Sequence, residues 1–170
     1  MLPISVDMTD RLVVCVGAGP VSARRAATFA AEGARVLVVA PERSDAMMQV
    51  PHTWVPRVVR ASDLDRASFV HTATGDLDTD RTVARWAADR GVFCITAGHA
   101  VDGSAVLPAR RSIATPDGSL YVAITSADPR RSVRLVRAVA AWLRGQDLRP
   151  ARDPRPLVPC TSANSHEAVA

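Results

Sequence analysis

The sequence predicts an α/β chain: a doubly wound parallel sheet followed by a small α+β unit. Three observations carry this. RLVVCVG at 11–17 and ARVLVVA at 34–40 are short, continuous apolar runs, the character of strands buried on both faces. Between them, PVSARRAATFAAEG at 20–33 opens with proline and closes with glycine, the asymmetry expected of a helix. Strand and helix then go on alternating through the first hundred residues, as parallel sheets with helical crossovers require.

Taken in order, 11–17, the helix at 20–33 and 34–40 form a βαβ unit with a tight glycine turn after the first strand. TWVPRVVR at 53–60 reads as a strand that Pro56 confines to a sheet edge. Ser62-Asp63-Leu64-Asp65 reads as a short capped helix, and SFVHTAT at 68–74 as a strand. DTDRTVARWAADRG at 78–91 has an Asp/Thr start, Val83, Trp86 and Ala87 on one face, and Gly91 as its stop, so it is expected to be a helix. VFCITA at 92–97 is a further buried strand. The pattern then changes. Residues 104–114 and 119–126 are strand-like around Pro116-Asp117-Gly118, a hairpin turn. Residues 129–144 form an amphipathic helix with Val133, Val136, Val139, Ala140 and Leu143 on its apolar side. The expected organisation is a nucleotide-binding domain at 1–103, a dimerisation unit at 104–145, and a Pro-rich tail at 146–170 without fixed fold. Two strands and one helix bury little on their own, which points to a homodimer.

Composition narrows the function. All 21 basic residues are arginine. Lysine is absent, so a Walker-A phosphate loop, Schiff-base chemistry and a Tyr/Lys dehydrogenase pair are excluded. A net charge of +4 suits a polyanionic partner, but 4% aromatic residues give no stacking platform for single strands. Nucleic acid is therefore not expected as a partner. No apolar run spans a bilayer, and MLPISVDMTD has no long apolar stretch typical of a secretory leader, so the expected location is the cytoplasm. Cys15 and Cys94 sit in apolar runs as core thiols; with Cys160 they make no metal-ligand spacing, and no metal site is expected.

The chemistry concentrates in three places. In Gly17-Ala18-Gly19-Pro20-Val21-Ser22, the first glycine makes the turn and the second lets backbone approach a pyrophosphate. The small Ser22 lets the helix approach the sheet, and the helix N-terminus faces the phosphate charge. This is a dinucleotide fingerprint of Rossmann type, with Ser22 replacing its third glycine. The second strand runs into Pro41-Glu42, where an acidic residue would accept the adenosine ribose hydroxyls and disfavour a 2′-phosphate, so NAD is the expected cofactor. Thr74 and Gly75 end the 68–74 strand, at the edge where such sheets bind ligands, on the nicotinamide side.

Three segments together resemble the precorrin-2 dehydrogenase family, which supplies the dehydrogenase and ferrochelatase module of siroheme synthesis. They are LPISVDMTDRLVVCVGAGPVSARRAATFAAEGARVLVVAPE, HTATGDLDTDRTVARWAADRGVFC and ADPRRS before a helix. The resemblance covers residues 2–144. It implies an NAD-binding domain followed by a dimerisation unit, NAD contacts at Pro20, Val21, Pro41 and Glu42, and oxidation of precorrin-2 to sirohydrochlorin. Its substrate class is a polycarboxylate tetrapyrrole, which Arg110, Arg111, Arg130, Arg131 and Arg134 suit by charge. The chain departs from the family in one position that matters. An aspartate linked to dehydrogenation and chelation is Gly98 here, in Ile95-Thr96-Ala97-Gly98-His99. His99, next to it, carries an imidazole able to accept a proton and is the candidate replacement as proton acceptor. Ser126 matches a family serine near the tetrapyrrole pocket, although Ala127-Asp128 replace the glycine pair that follows it, and the Pro-rich stretch after Gly145 is not expected to supply the family's helical C-terminal domain. Iron insertion is the activity that the loss of the aspartate affects most. Two alternatives stay open: a homologue repurposed for another substrate in specialised metabolism, and a non-catalytic domain that senses NAD and NADH.

Overall fold

The computed structural model describes residues 2–116 and 118–149. Most of the expected Pro-rich tail, with Cys160 and His166, lies outside the described residues. The described chain falls into two compact units that meet in sequence between Leu107 and Pro108.

The first unit is a five-stranded sheet. Its strands are β1 (Leu12–Val16), β2 (Arg35–Val39), β3 (Thr53–Val55), β4 (Phe69–Thr72) and β5 (Phe93–Thr96). They pair in parallel in the order β3-β2-β1-β4-β5. Chain order reverses at β1, which is where open sheets of this kind form a crevice beyond the carboxyl ends of their strands. Helix α1 (Pro20–Ala31) covers one face and α3 (Leu77–Asp89) the other, so the sheet is doubly wound as its apolar runs predict. The alternation of β1 divides the core in two. Val13 and Cys15 join Ala23, Ala26 and Phe29 of α1. Val14 and Val16 join Val83, Ala84 and Ala87 of α3.

Each helix ends as its sequence dictates. α1 has Pro20 in its first turn after Gly19 at the cap. Gly33, at φ +82, turns the chain back so that the Ala34 N–H reaches the Phe29 carbonyl. In α3 the Asp76 carboxylate accepts from the Asp78 N–H, and Gly91, at φ +65, closes the far end. Phe69 stacks on Phe93 with centroids 5.3 Å apart, tying β4 to the edge strand.

The structure corrects several expected boundaries. The 53–60 strand is only Thr53–Val55, because Pro56 offers no N–H and the Arg57 N–H turns back onto the Val55 carbonyl. The short helix after it is a 3-10 turn over Ala61–Leu64, in which Asp63 accepts from the Arg60 N–H and from the Arg57 guanidinium. A single-turn helix, α2 (Asp45–Met48), was not expected; Ser44 caps it and Met47 is buried beneath it. Residues 104–108 are not a strand. They stitch onto β5 instead, with the Ser104 hydroxyl accepting from the Cys94 N–H and the Ala105 N–H donating to the Cys94 carbonyl.

The second unit contains an antiparallel hairpin, β6 (Ala109–Thr115) with β7 (Gly118–Ile124), and helix α4 (Pro129–Leu143). Asp128 caps α4 through the Arg130 N–H. Ser132, Val136 and Ala140 form its buried stripe. Val133 and Val139, expected on the buried side, are instead 40% and 37% exposed, because a two-stranded sheet covers only a narrow strip of the helix.

Candidate functional site

The first strand delivers the chain into a turn that only glycine can make. Gly17 has φ +90, and a Cβ there would lie 2.5 Å from the Ala73 carbonyl oxygen. The turn thus brings the end of β1 against the segment that follows β4. Gly19 is the opposite case: a Cβ built on it meets nothing within 4 Å. It faces open space at the first turn of α1. That turn carries no acidic side chain and no side-chain cap. With Pro20 contributing no N–H, the backbone amides of Val21 and Ser22 are left for an anion, and the helix dipole favours one there.

A cleft of about 650 Å³ opens beside this turn, at the β1 reversal point. Gly17, Ala18, Pro41, Glu42 and Thr74 line it, so the structure brings together the turn, the end of β2 and the end of β4. Gly19, Pro20, Val21, Ser22 and Gly75 do not line it. The Ser22 side chain is fully buried. It lies against the Cys15 thiol without a hydrogen bond of ordinary geometry, and its small size lets α1 approach the sheet. Burial pushes the Cys15 thiol up to about 12, against the opposing influence of that hydroxyl, so it is an inert core group.

Sequence reasoning missed the other wall. Val58, Val59, Asp76, Asp78, Thr79, Thr82 and Trp86 form that wall. Thr79, Thr82 and Trp86 recur at helical spacing along α3, and that repeat, on a helix entering from the ligand side of the sheet, was the available signal. Among the described residues of the first unit, no arginine lines the cleft. Its carboxylates are those of Glu42, Asp76 and Asp78, and the Thr79 hydroxyl and the Asp78 N–H hold the Asp76 carboxyl below the usual carboxylate range. A pyrophosphate in this cleft therefore depends on backbone amides rather than on side-chain cations. The residues present suit a dinucleotide.

Two sets of hydrogen bonds fix the cleft walls. The Ser44 N–H and hydroxyl both donate to the Ala18 carbonyl, at 3.1 and 2.7 Å, locking the segment after β2 onto the glycine turn. On the other side, one carboxylate oxygen of the buried Asp80 accepts from the Thr72 hydroxyl, the Thr74 hydroxyl and the Thr74 N–H. This holds Thr74 at the rim. A shallower depression of about 520 Å³ on the outer flank of α3 is lined by Arg81, Arg85, Asp78 and Asp102. It has no glycine turn, and Arg81 pairs with Asp102 at 3.3 Å.

The two residues expected to act on substrate do not line the cleft. Gly98 and His99 follow β5, at the carboxyl edge of the sheet, and the His99 side chain is exposed. A Cβ on Gly98 would meet nothing within 4 Å. Ser126 belongs to the second unit. Its hydroxyl donates to the Asp128 carbonyl and shares a hydrogen bond with Ser132, within the cap of α4. His71 is buried in β4, and burial together with Arg25 lowers its pKa to about 4. Among the described residues no cluster of three His, Cys, Asp or Glu side chains could hold a metal ion.

Comparison with known proteins bears on the fold and the family. The family model described as "Putative NAD(P)-binding" matches residues 4–109. Precorrin-2 dehydrogenase of Bacillus subtilis (strain 168) is 24% identical over 150 residues, covering 85% of this chain and 90% of that protein. Siroheme synthase of Methylobacillus flagellatus is 33% identical over 97 residues, which cover 54% of this chain but only 20% of that longer protein. Among solved structures, SirC, a precorrin-2 dehydrogenase, superposes with a TM-score of 0.68 at 28% identity, covering 83% of this chain and 70% of that one. The chain belongs to this NAD(P)-binding family, as a divergent member of its precorrin-2 dehydrogenase group.

Proposed function

We propose that the chain oxidises precorrin-2, or a closely related polycarboxylate tetrapyrrole, with NAD held in the cleft between the glycine turn and α3. The observation that carries this is the open space over Gly19 at an α1 N-terminus free of acid and cap, set beside a cleft lined by Pro41, Glu42 and Thr74. In this reading the amides of Val21 and Ser22 hold the pyrophosphate, with Gly17, Gly19 and Pro20 shaping the turn. Pro41 and Glu42 receive the adenosine ribose, whose hydroxyls donate to the carboxylate. Thr74 and Gly75 bound the nicotinamide side. Bound NAD supplies the hydride acceptor. What remains for the chain is to orient the macrocycle, exclude water and take up a proton.

His99 is the proposed proton acceptor, because its exposed imidazole follows Gly98, which has no side chain to act. Ser126, in the second unit, is proposed as a residue that acts on substrate. The arginines of that unit supply charge for a polycarboxylate, and the unit is proposed to pair with a second copy of the chain. The buried, unpaired thiols of Cys15 and Cys94 fit a reducing cytoplasm. Ferrochelation is not part of this proposal.

An anaerobic assay with precorrin-2 and NAD, following NADH and sirohydrochlorin together, tests it. The wild-type chain is expected to form both in equal amounts. His99→Ala is expected to lose about 100-fold or more in kcat, the scale of a general base, and Gly98→Asp, which has open space around it, to restore much of that loss in the His99→Ala background. Binding of NAD without any turnover would reject precorrin-2 as substrate. It would favour the second reading, in which Gly98 marks a homologue adapted to a different substrate.

A further inference from the structure

The residue after Glu42 is an arginine, and it does not line the cleft. Arg43 is engaged elsewhere. Its guanidinium carbon sits 3.9 Å from the centre of the Trp54 ring. One of its terminal nitrogens lies 3.2 Å from His52 Nε2. A guanidinium can only donate, so Nε2 accepts; the proton of the ring is then on Nδ1, which donates to the Val50 carbonyl at 2.6 Å. Trp54 is fixed in turn, its indole N–H donating to the Ala40 carbonyl at 2.9 Å. Ring, imidazole and guanidinium therefore form one assembly on the β3 side of the loop. The segment that carries it is locked to the glycine turn through Ser44 and Ala18.

An arginine at this point of the chain has an obvious alternative use. Adjacent to the residue that faces the adenosine ribose, its fork would bind a 2′-phosphate bidentately. We propose that Trp54 and His52 act as a clamp that withholds Arg43 from the cleft, and that this clamp, together with Glu42, sets the preference for NAD over its 2′-phosphorylated form. Glu42 repels the extra phosphate and offers the ribose an acceptor. The clamp removes a neighbouring cation able to offset that repulsion. Cofactor choice thus resides partly in two residues of the edge strand region that need not touch the nucleotide.

This inference rests on the dinucleotide occupying the cleft beside Glu42. The test is calorimetric titration of the purified chain with NAD and with NADP, which needs no substrate. Wild-type protein is expected to bind NAD and to bind NADP much more weakly. Arg43→Ala is expected to change neither affinity by more than about twofold, because the withheld side chain contacts neither ligand. His52→Ala, and separately His52→Ala with Trp54→Leu, are expected to tighten NADP binding by about tenfold, the worth of a charge-assisted hydrogen bond made in competition with water. Adding Arg43→Ala to either variant should abolish the gain. His52→Ala leaves the Trp54 packing in place, so the test survives if the double variant does not fold. A loss of NAD or NADP affinity in Arg43→Ala alone would overturn the inference, as would folded clamp variants with an unchanged NADP-to-NAD ratio. Absence of NAD binding by the wild-type chain would instead remove the site reading beneath it.

Discussion

His71 shows how one side chain ties packing to pH. It lies in β4 under α1, 1% exposed, and its Nδ1 has no hydrogen-bond partner. Burial is the main cause of its low pKa, Arg25 and Arg24 add to it, and Asp80 opposes it. Its folded-state pKa of about 4 lies below the ordinary 6.5, so the unfolded chain binds the proton more readily. Stability contributed by the neutral ring is therefore complete above pH 6.5 and falls as pH drops from 6.5 to 4. The full loss is of the order of 3 kcal/mol. Denaturation of wild type and His71→Leu across this range checks it. The variant should show a flatter pH profile, and an identical slope in both would contradict the assignment to His71.

Asp80 is a residue whose value lies in its acceptors. Three donors converge on one of its oxygens, and replacing it by alanine strands buried hydroxyl and amide groups. Asp80→Ala should cost about 3 kcal/mol in urea denaturation, and Asp80→Asn, which keeps a carbonyl oxygen there, distinctly less. Equal losses in the two variants would show that the charge, and not the acceptor, holds Thr74.

At the scale of elements, the sequence was most readable where pattern and partner coincide. β1, β2 and β5 carry buried side chains on both faces, so each appears as a mainly apolar run, and α1 and α3 carry their stops as Gly33 and Gly91. Reading failed where local chemistry overrides pattern. Val58 and Val59 continue the apolar run of β3, yet Pro56 ends the strand and the ion pair of Arg57 with Asp63, at 2.6 Å, organises the turn that follows. α2 spans four residues, too few to show helical periodicity, and it exists because Ser44 caps it and Met47 is anchored in the core. The candidate site divides in the same way. Gly17, Pro41, Glu42 and Thr74 were readable because strand ends and glycines mark them. Trp86 was read as sharing a helix face with Val83 and Ala87, while its position one turn beyond Thr82 gives it a place on the cleft wall.

For the whole molecule, the two units differ in how completely they bury their apolar surface. The first encloses two cores around its sheet. The second leaves Tyr121 56%, Leu135 41%, Val139 37% and Trp142 64% exposed. Leu135, Val139 and Trp142 follow one another along α4 at helical spacing and form a ridge beside its buried stripe. A second copy of the chain is the proposed cover for that ridge. Sedimentation at micromolar concentration should give a dimer, and Trp142→Glu should shift it to monomer; a wild-type monomer at all concentrations would reject the pairing.

If the glycine turn and α1 N-terminus hold NAD, Gly19 is the position at which that binding separates from folding. Gly17 cannot be replaced without striking Ala73, so loss of binding there would be ambiguous. Gly19 has φ −74 and open space around its missing side chain, so valine fits the backbone while filling the position required by a pyrophosphate. Calorimetric titration of Gly19→Val with NAD is therefore the most direct measurement. The variant should melt within about 1 kcal/mol of wild type, the cost of altering a helix cap, and lose at least tenfold in NAD affinity. A folded Gly19→Val protein that binds NAD as wild type does would place the dinucleotide away from the α1 N-terminus.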